Sequence, residues 1–199
     1  MSTRTAGLIL AGGSARRMGG GDKPLLKLGG EPMIRRIITA IGLPDIAISA
    51  NGDPGRFAPF GLPVLDDGTF AGQGPLAGVL AGVAWAERLG AEAVLTVPGD
   101  TPFVPAGLAT ALAPAPACAV HEGRVHHLVA LWPVTCRNAL EDFLRVSGSR
   151  RVSQFAADIG MRQMAFTSGD LEPFLNINTP EDLTRARSLA EQSGGRTRG

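Results

Sequence analysis

Residues 8–27 read LILAGGSARRMGGGDKPLLK, a short apolar run followed by two glycine clusters, two adjacent arginines and a lysine. Glycine lets a backbone lie directly against a phosphate and offer its N–H groups. Arg16, Arg17 and Lys23 supply the charge within eight residues. Such a gathering straight after a strand points to an anion. The alternative is a surface loop with solvated arginines. The spacing is not G-x-x-x-x-G-K-[ST], because no Lys-Ser or Lys-Thr pair follows the glycines, and it is not a clean G-x-G-x-x-G. Phosphate contact falls to Arg17 and Lys23, with Arg16 close behind.

Asp100, in Gly99-Asp100-Thr101-Pro102, follows the apolar run 93–97. A carboxylate at a strand end suits a magnesium ion that also holds triphosphate oxygens. The alternative is an aspartate making a turn before Pro102. Asp67 can accept from the base or sugar of a nucleotide, and Asn51 can do the same work or simply turn the chain before Gly52. Gly72-Gln73-Gly74-Pro75 is a close backbone approach into a helix N-terminus, either the wall of a base pocket or a loop of unusual φ. His121, His126 and His127 fall around one turn, where a plain surface is the expected reading. Asn176 and Asn178 alternate on an extended segment and so share a side. They serve a site or cap the helix that follows. The chain offers no Ser/His/Asp or Cys/His arrangement for nucleophilic catalysis. None is needed where the nucleophile is an ionised phosphate, since alignment and charge neutralisation then suffice.

The elements that must position these residues follow from periodicity. Residues 6–11, 45–50, 63–65 and 93–97 read as strands. Residues 23–26 read as extended, and 32–42 as an amphipathic helix with Pro32 in its first turn. Residues 75–89 and 104–112 read as helices, 118–121 and 127–131 as paired strands, 133–146 and 151–159 as helices, and 164–166 as a late strand. Thr179-Pro180-Glu181-Asp182 opens a last helix with a threonine cap, an early proline and acids in the first turn. The alternation over the first 110 residues predicts an α/β fold, a mostly parallel sheet with helices on both faces. Ligands bind such sheets beyond the carboxyl ends of the strands. The glycine loop, Asn51, Asp67 and Asp100 all fall at such ends, so four separate segments converge on one crevice.

Composition bounds the rest. With 199 residues, one domain is expected, spanning 1–192, with 193–199 a disordered tail. Apolar residues make up 44% and charged residues 19%, enough for a core. A net charge of +1 gives no bulk field for nucleic acid or a membrane surface, so anion recognition has to be local. Cys118 and Cys136 are isolated, which argues against a disulfide framework or a zinc site. MSTRTAGLIL is too short in apolar residues for a secretory signal, and no stretch reaches membrane-span length. A cytoplasmic protein is expected.

With these residues in place, the chain resembles the molybdenum cofactor guanylyltransferase family. The resemblance rests on LAGGSARRMGGGDK (10–23), ISAN (48–51), LDD (65–67), GPLAG (74–78), VPGDTPFVP (97–105), RRVSQF (150–155) and FLNINTPEDL (174–183). It implies a single three-layer, Rossmann-like nucleotidyltransferase domain with a mixed sheet. It implies transfer of GMP from Mg-GTP to the terminal phosphate of Mo-molybdopterin, with release of pyrophosphate. Leu10, Ala11, Gly12 and Gly13 would hold the nucleotide through backbone, Lys23 its phosphates, and Asp67 its guanosine. Ser49 or Asn51 would lie on the nucleotide side, and Asp100 would bind Mg2+ and GTP. The region of Arg150 and Arg151 and the Asn176/Asn178 segment would form the pterin side. The resemblance leaves room for proteins that deliver molybdopterin or mature molybdoenzymes. Rival readings keep the mechanism with another base (a cytidylyltransferase on the same pterin) or another acceptor (a sugar phosphate). A non-catalytic GTP switch would want a Walker lysine-serine and an N-K-x-D motif, which the chain lacks. A pterin carrier is the remaining alternative.

Overall fold

The computed structural model describes residues 4–12, 22–146, 151–167 and 172–195. The chain opens with β1 (Thr5–Leu10) and resumes at a 3-10 turn (Lys23–Leu25) and a small hairpin, β2 (Lys27–Leu28) and β3 (Glu31–Pro32). Then come α1 (Met33–Ile41), β4 (Ile46–Ser49), β5 (Val64–Leu65), α2 (Pro75–Arg88), β6 (Ala93–Pro98) and α3 (Leu108–Leu112). The second half adds β7 (Ala117–His121), β8 (Arg124–Pro133), α4 (Arg137–Val146), α5 (Val152–Asp158), β9 (Arg162–Phe166) and α6 (Pro180–Gly195).

Among the described residues seven strands form one sheet in the order β5-β4-β1-β6-β8-β7-β9. β5, β4, β1 and β6 are mutually parallel, and β9 is parallel to β7. β8 alone runs against its neighbours. The expected mostly parallel sheet is therefore present. Side-chain alternation splits the core into two layers. Ile9, Leu95 and Val97 face one way, onto Ile34, Ile37 and Ile41 of α1 and Leu108 of α3. Leu8 and Val94 face the other, onto Val79 and Val83 of α2 and Leu140 of α4. A third cluster of Leu28, Met33, Phe103, Ile177 and Ala186 seats α6 against the hairpin.

Several expected boundaries differ, each for a local reason. Residues 23–26 are not extended: Leu25 N–H donates to Asp22 O and Leu26 N–H to Lys23 O, both at 3.0 Å, a tight turn that Pro24 accommodates. Pro32 ends β3 and precedes α1 rather than lying inside its first turn. The helix expected over 104–112 begins only at Leu108, because Gly107 stands at φ 72°. The helix expected from 133 begins at Arg137, because residues up to Pro133 pair with β6. The strand expected over 127–131 runs from Arg124 to Pro133, which leaves Glu122-Gly123 as the turn. Helical backbone runs through Gly195, into the first part of the expected tail, and 196–199 lie outside the described residues.

Helix α2 packs against the sheet through Gly78 and Gly82, one turn apart on the same face. A Cβ on Gly82 would fall well inside contact of the Leu8 side chain, which is fully buried. Glycine inside a helix costs about 1 kcal/mol against alanine, so the close approach is what favours it here. Gly82→Ala is expected to lower stability on balance, because overpacking costs about 1–3 kcal/mol and exceeds the propensity gained. Urea unfolding of the two proteins measures this. A variant more stable than the parent would show that Leu8 moves aside freely.

Candidate active site

The carboxyl ends of β1, β4, β5 and β6 open onto a cleft of about 560 Å3. Such a volume suits a nucleotide-sized ligand, since small-molecule pockets run to roughly 300–1,000 Å3. Leu10, Ala11 and Gly12 form its floor, with Ser49, Asn51 and Asp67 on one side and Lys23, Asp100, Asn176 and Asn178 on the other. Gly72, Gly74 and Pro75 close it where α2 begins. The two described ends of the glycine loop (Leu10–Gly12 and Lys23), Asn51, Asp67 and Asp100 all line it, and the Asn176/Asn178 segment joins them in the same cleft. Gly13, Arg16, Arg17 and Arg150 lie outside the described residues. Arg151 is the exposed residue before α5 and does not line the cleft.

On the first side, Asn51 and Asp67 act as one unit. Asn51 Nδ2 donates to Asp67 Oδ2 at 2.6 Å, and the Asp67 backbone N–H donates to Asn51 Oδ1 at 3.0 Å. Asn51 thus fixes the orientation of the Asp67 carboxylate rather than duplicating it. Ser49, only 4% exposed, turns its hydroxyl toward Gly78 at the cleft wall.

On the second side, Lys23 Nζ donates to Asn178 Oδ1 at 2.6 Å and lies 3.7 Å from Asp100 Oδ2. Thr101, fully buried, donates from Oγ1 to Asn176 Oδ1 at 2.8 Å. With both amide oxygens engaged, each Asn keeps its NH2 group to donate. Ile177 N–H donates to Asp100 O at 2.9 Å, which ties the two loops together by backbone. Gly99 N–H donates to Leu10 O at 2.9 Å, and a Cβ on Gly99 would lie 2.6 Å from Pro24 Cγ. Only glycine lets the Asp100 loop lie this close to the Lys23 turn.

The start of α6 anchors the same segment. Asp182 accepts from the backbone N–H groups of Asn178 and Thr179, both at 2.9 Å, and donates its own N–H to Thr179 Oγ1 at 3.1 Å. The expected threonine cap is thus part of a reciprocal box. The Asn178 N–H and its companion hold the Asp182 carboxyl below the usual carboxylate range. Phe174 stands at φ 64°, a left-handed conformation unusual for a bulky residue. It is buried between the rings of His126 and Phe166, with centroids 5.1 and 5.2 Å away.

The histidines are not the plain surface expected of them. His121 is buried, with Nδ1 3.0 Å from Phe166 O. His126 is partly buried, and burial, with Arg124 and the other two histidines adding to it, pushes its pKa down to about 4. Burial also lowers His127. Burial pushes the Cys136 thiol up to about 11 and raises Cys118 as well, so neither offers a thiolate.

Two residues that sequence reasoning missed belong to this site. Thr101 orients Asn176; its signal was its place beside Asp100, but only the fold reveals its partner. Arg56 lies behind Asn51 and carried no motif. Thr101→Val keeps the volume but leaves Asn176 free to flip. It is expected to lower turnover by about tenfold, the cost of one lost buried hydrogen bond of roughly 1.4 kcal/mol, which steady-state kinetics measures. His126 gives a pH signature. Its lowered pKa means that the unfolded chain takes up a proton first as pH falls below about 6.5. Stability is full above that value and is lost as pH falls toward about 4. His126→Phe is expected to flatten this part of the curve, which thermal melts at pH 7.5 and 5 test.

The chain matches the family described as MobA-like NTP transferase domain over residues 7–163. It is 54% identical over 183 residues to "Molybdenum cofactor guanylyltransferase" of Acidiphilium cryptum (strain JF-5), covering 91% of this chain and 93% of that protein. The protein of the same name from Rhodobacter capsulatus is 45% identical over 193 residues, covering 96% and 98%. The fold is similar to that of molybdopterin-guanine dinucleotide biosynthesis protein A from Archaeoglobus fulgidus. That structure gives a TM-score of 0.71 at 20% identity and covers 94% of this chain and 99% of its own. With the family match spanning most of the sheet and the cleft residues from Leu10 to Asp100, the chain belongs to the MobA-like NTP transferase family, as a nucleotidyltransferase related to the molybdenum cofactor guanylyltransferases.

Proposed function

We propose that this enzyme transfers GMP from GTP to the terminal phosphate of Mo-molybdopterin, forming the guanine dinucleotide and releasing pyrophosphate. The observation that carries the reading is Lys23, Asp100, Asn176 and Asn178 meeting in one cleft with the Asn51–Asp67 pair. The names of relatives about half identical over nearly the whole chain supply the acceptor and the base. Use of a nucleoside triphosphate supports a cytoplasmic setting. Among the described residues no helix is long and apolar enough to cross a membrane.

The acceptor phosphate oxygen attacks the α-phosphorus of GTP, a new P–O bond forms, and the bond to the β-phosphate oxygen breaks. The nucleophile is already ionised, so the protein's share is alignment and charge balance. Lys23 neutralises phosphate charge. The NH2 groups of Asn176 and Asn178 donate to phosphate or pterin oxygens on the acceptor side, and Arg150 is assigned to the same side, whereas Arg151 stands outside the cleft lining. Asp67, held by Asn51, accepts from the guanosine. Leu10, Ala11, Gly12 and Gly13 offer backbone, and Arg17 adds charge to the triphosphate.

Asp100 is the carboxylate for Mg2+. Among the described residues no three His, Cys, Asp or Glu side chains gather as a cage. One hard oxygen ligand beside a phosphate site fits magnesium, which takes one or two carboxylates and completes its shell with water and phosphate oxygens. Such an ion supplies charge neutralisation at the leaving pyrophosphate.

Purified protein with Mg2+ and Mo-loaded molybdopterin should release pyrophosphate and form the dinucleotide with GTP and not with CTP. A CTP preference would move the base choice and keep the chemistry; silence with both would sink the acceptor. Asp100→Asn is expected to lower kcat/KM by about 10²–10³, the usual loss of one preorganised electrostatic partner. A variant as active as the parent would remove Asp100 from the metal role.

A further inference from the structure

The 3-10 turn Pro54–Phe60 follows β4 and lies behind the cleft, outside its lining. Arg56 in this turn has its side chain about four-fifths covered and reaches three separate points. Its Nη2 donates to Asn51 O and its Nη1 to Asp53 O, both at 2.7 Å. Its Nε lies 3.0 Å from the Asp22 carboxylate, in an ion pair whose N–H points off the oxygen. The guanidinium carbon sits 4.9 Å from the centre of the Phe57 ring, which is fully buried.

The contacts to Asp22 and Asn51 lead to the two walls of the cleft, while those to Asp53 O and the Phe57 ring fix Arg56 within its own turn. Asp22 is the residue before Lys23, and its carbonyl accepts the first bond of the Lys23 turn. Asn51 holds Asp67 by two hydrogen bonds. One planar guanidinium therefore spans from the phosphate-side lysine to the carboxylate on the opposite wall. A lysine in its place would keep the charge, but its donors radiate from one point and cannot bridge three separated acceptors.

We propose that Arg56 is a positioning residue of the transfer reaction, which sets the Lys23 turn and the Asn51–Asp67 pair at one fixed separation. A ligand that touches both walls gains from that register, whereas a fragment that touches one wall does not. This is the arithmetic of two linked contacts held at a matched span. The inference rests on the cleft being the nucleotide site.

The test compares three probes on the full chain by calorimetry: GTP with Mg2+, guanosine, and tripolyphosphate with Mg2+. Arg56→Lys is expected to weaken GTP binding by about tenfold or more while each fragment weakens by less than about threefold. The kcat/KM for GTP should fall at least as far. Asp22→Asn is the second variant. It should give the same pattern, and the double variant should add little to either single change. If all three probes bind Arg56→Lys and Asp22→Asn as they bind the parent, the inference is overturned. It is equally overturned if all three affinities collapse together with the melting temperature, because Arg56 is then a fold element only. Parent protein that binds neither GTP nor guanosine would overturn the nucleotide reading itself, and that result is visible before any substitution is made.

Discussion

The site depends on three parallel strands stopping at one level. Leu10, the last residue of β1, pairs with Ser49 on one side and Pro98 on the other. Beyond that level the three strands are still joined by Ala11 N–H to Ser49 O at 2.8 Å and Gly99 N–H to Leu10 O at 2.9 Å. Gly12 lies past the last of these cross-links, on the floor of the cleft. Order in the sheet reinforces this. The chain leaves β1 for β4 on one side and returns to β6 on the other, so the loops part at the point where the winding reverses. If Leu10 were out of register by one residue, Leu8 and Ile9 would exchange layers, and neither α1 nor α2 would have its apolar partner.

The second constraint is that the last turn of the chain must reach the first. Lys23 and Asn178 are far apart in sequence yet share a hydrogen bond, and Asp100 lies beside them. A lysine 3.7 Å from a carboxylate, with both side chains largely covered, contributes little to stability, because the loss of hydration offsets much of the attraction. The arrangement is better read as charge held ready for a ligand. The cost of building it is visible at Phe174, whose left-handed backbone is enforced by packing against His126 and Phe166. The Asp182 box fixes the other end of the same segment. Asn176 and Asn178 thus sit between two over-determined points, which is the condition for a side chain to hold its direction.

The sheet was legible because its strands announce themselves. Residues 93–97 are apolar and β-branched, and the polar residues that follow each strand then had to share one edge. Asp67 and Asp100 were legible for the same reason. What the sequence hid was partnership across distance. Asn51 reads as a turn residue or a ligand, and only the folded chain makes it the holder of Asp67. Arg56 carries no motif, because its meaning comes from acceptors on segments before and after it. The false start of the helix at 104 had a different cause: the backbone at Gly107 is left-handed, so the helix can begin only after it, at Leu108. The histidines misled because a turn suggests surface: Glu122, Gly123 and Arg124 are exposed, but His121 packs against β9 at Phe166 O and His126 against the Phe174 ring.

Among the described residues no cysteine or histidine near the site is placed to act as a nucleophile or base. Burial keeps both cysteines as thiols and His126 neutral at ordinary pH. None of them lines the cleft. Among the described residues, the polar groups that do are a lysine, two carboxylates, three carboxamides, the Ser49 hydroxyl and backbone, a set that binds and aligns anions. For phosphoryl chemistry that set is sufficient, because the reacting oxygen brings its own charge and the barrier is lowered by position and neutralisation. Such a mechanism places its burden on distances between walls rather than on any one pKa. It follows that residues behind the walls, which set those distances, matter to the reaction as much as residues that touch the ligand.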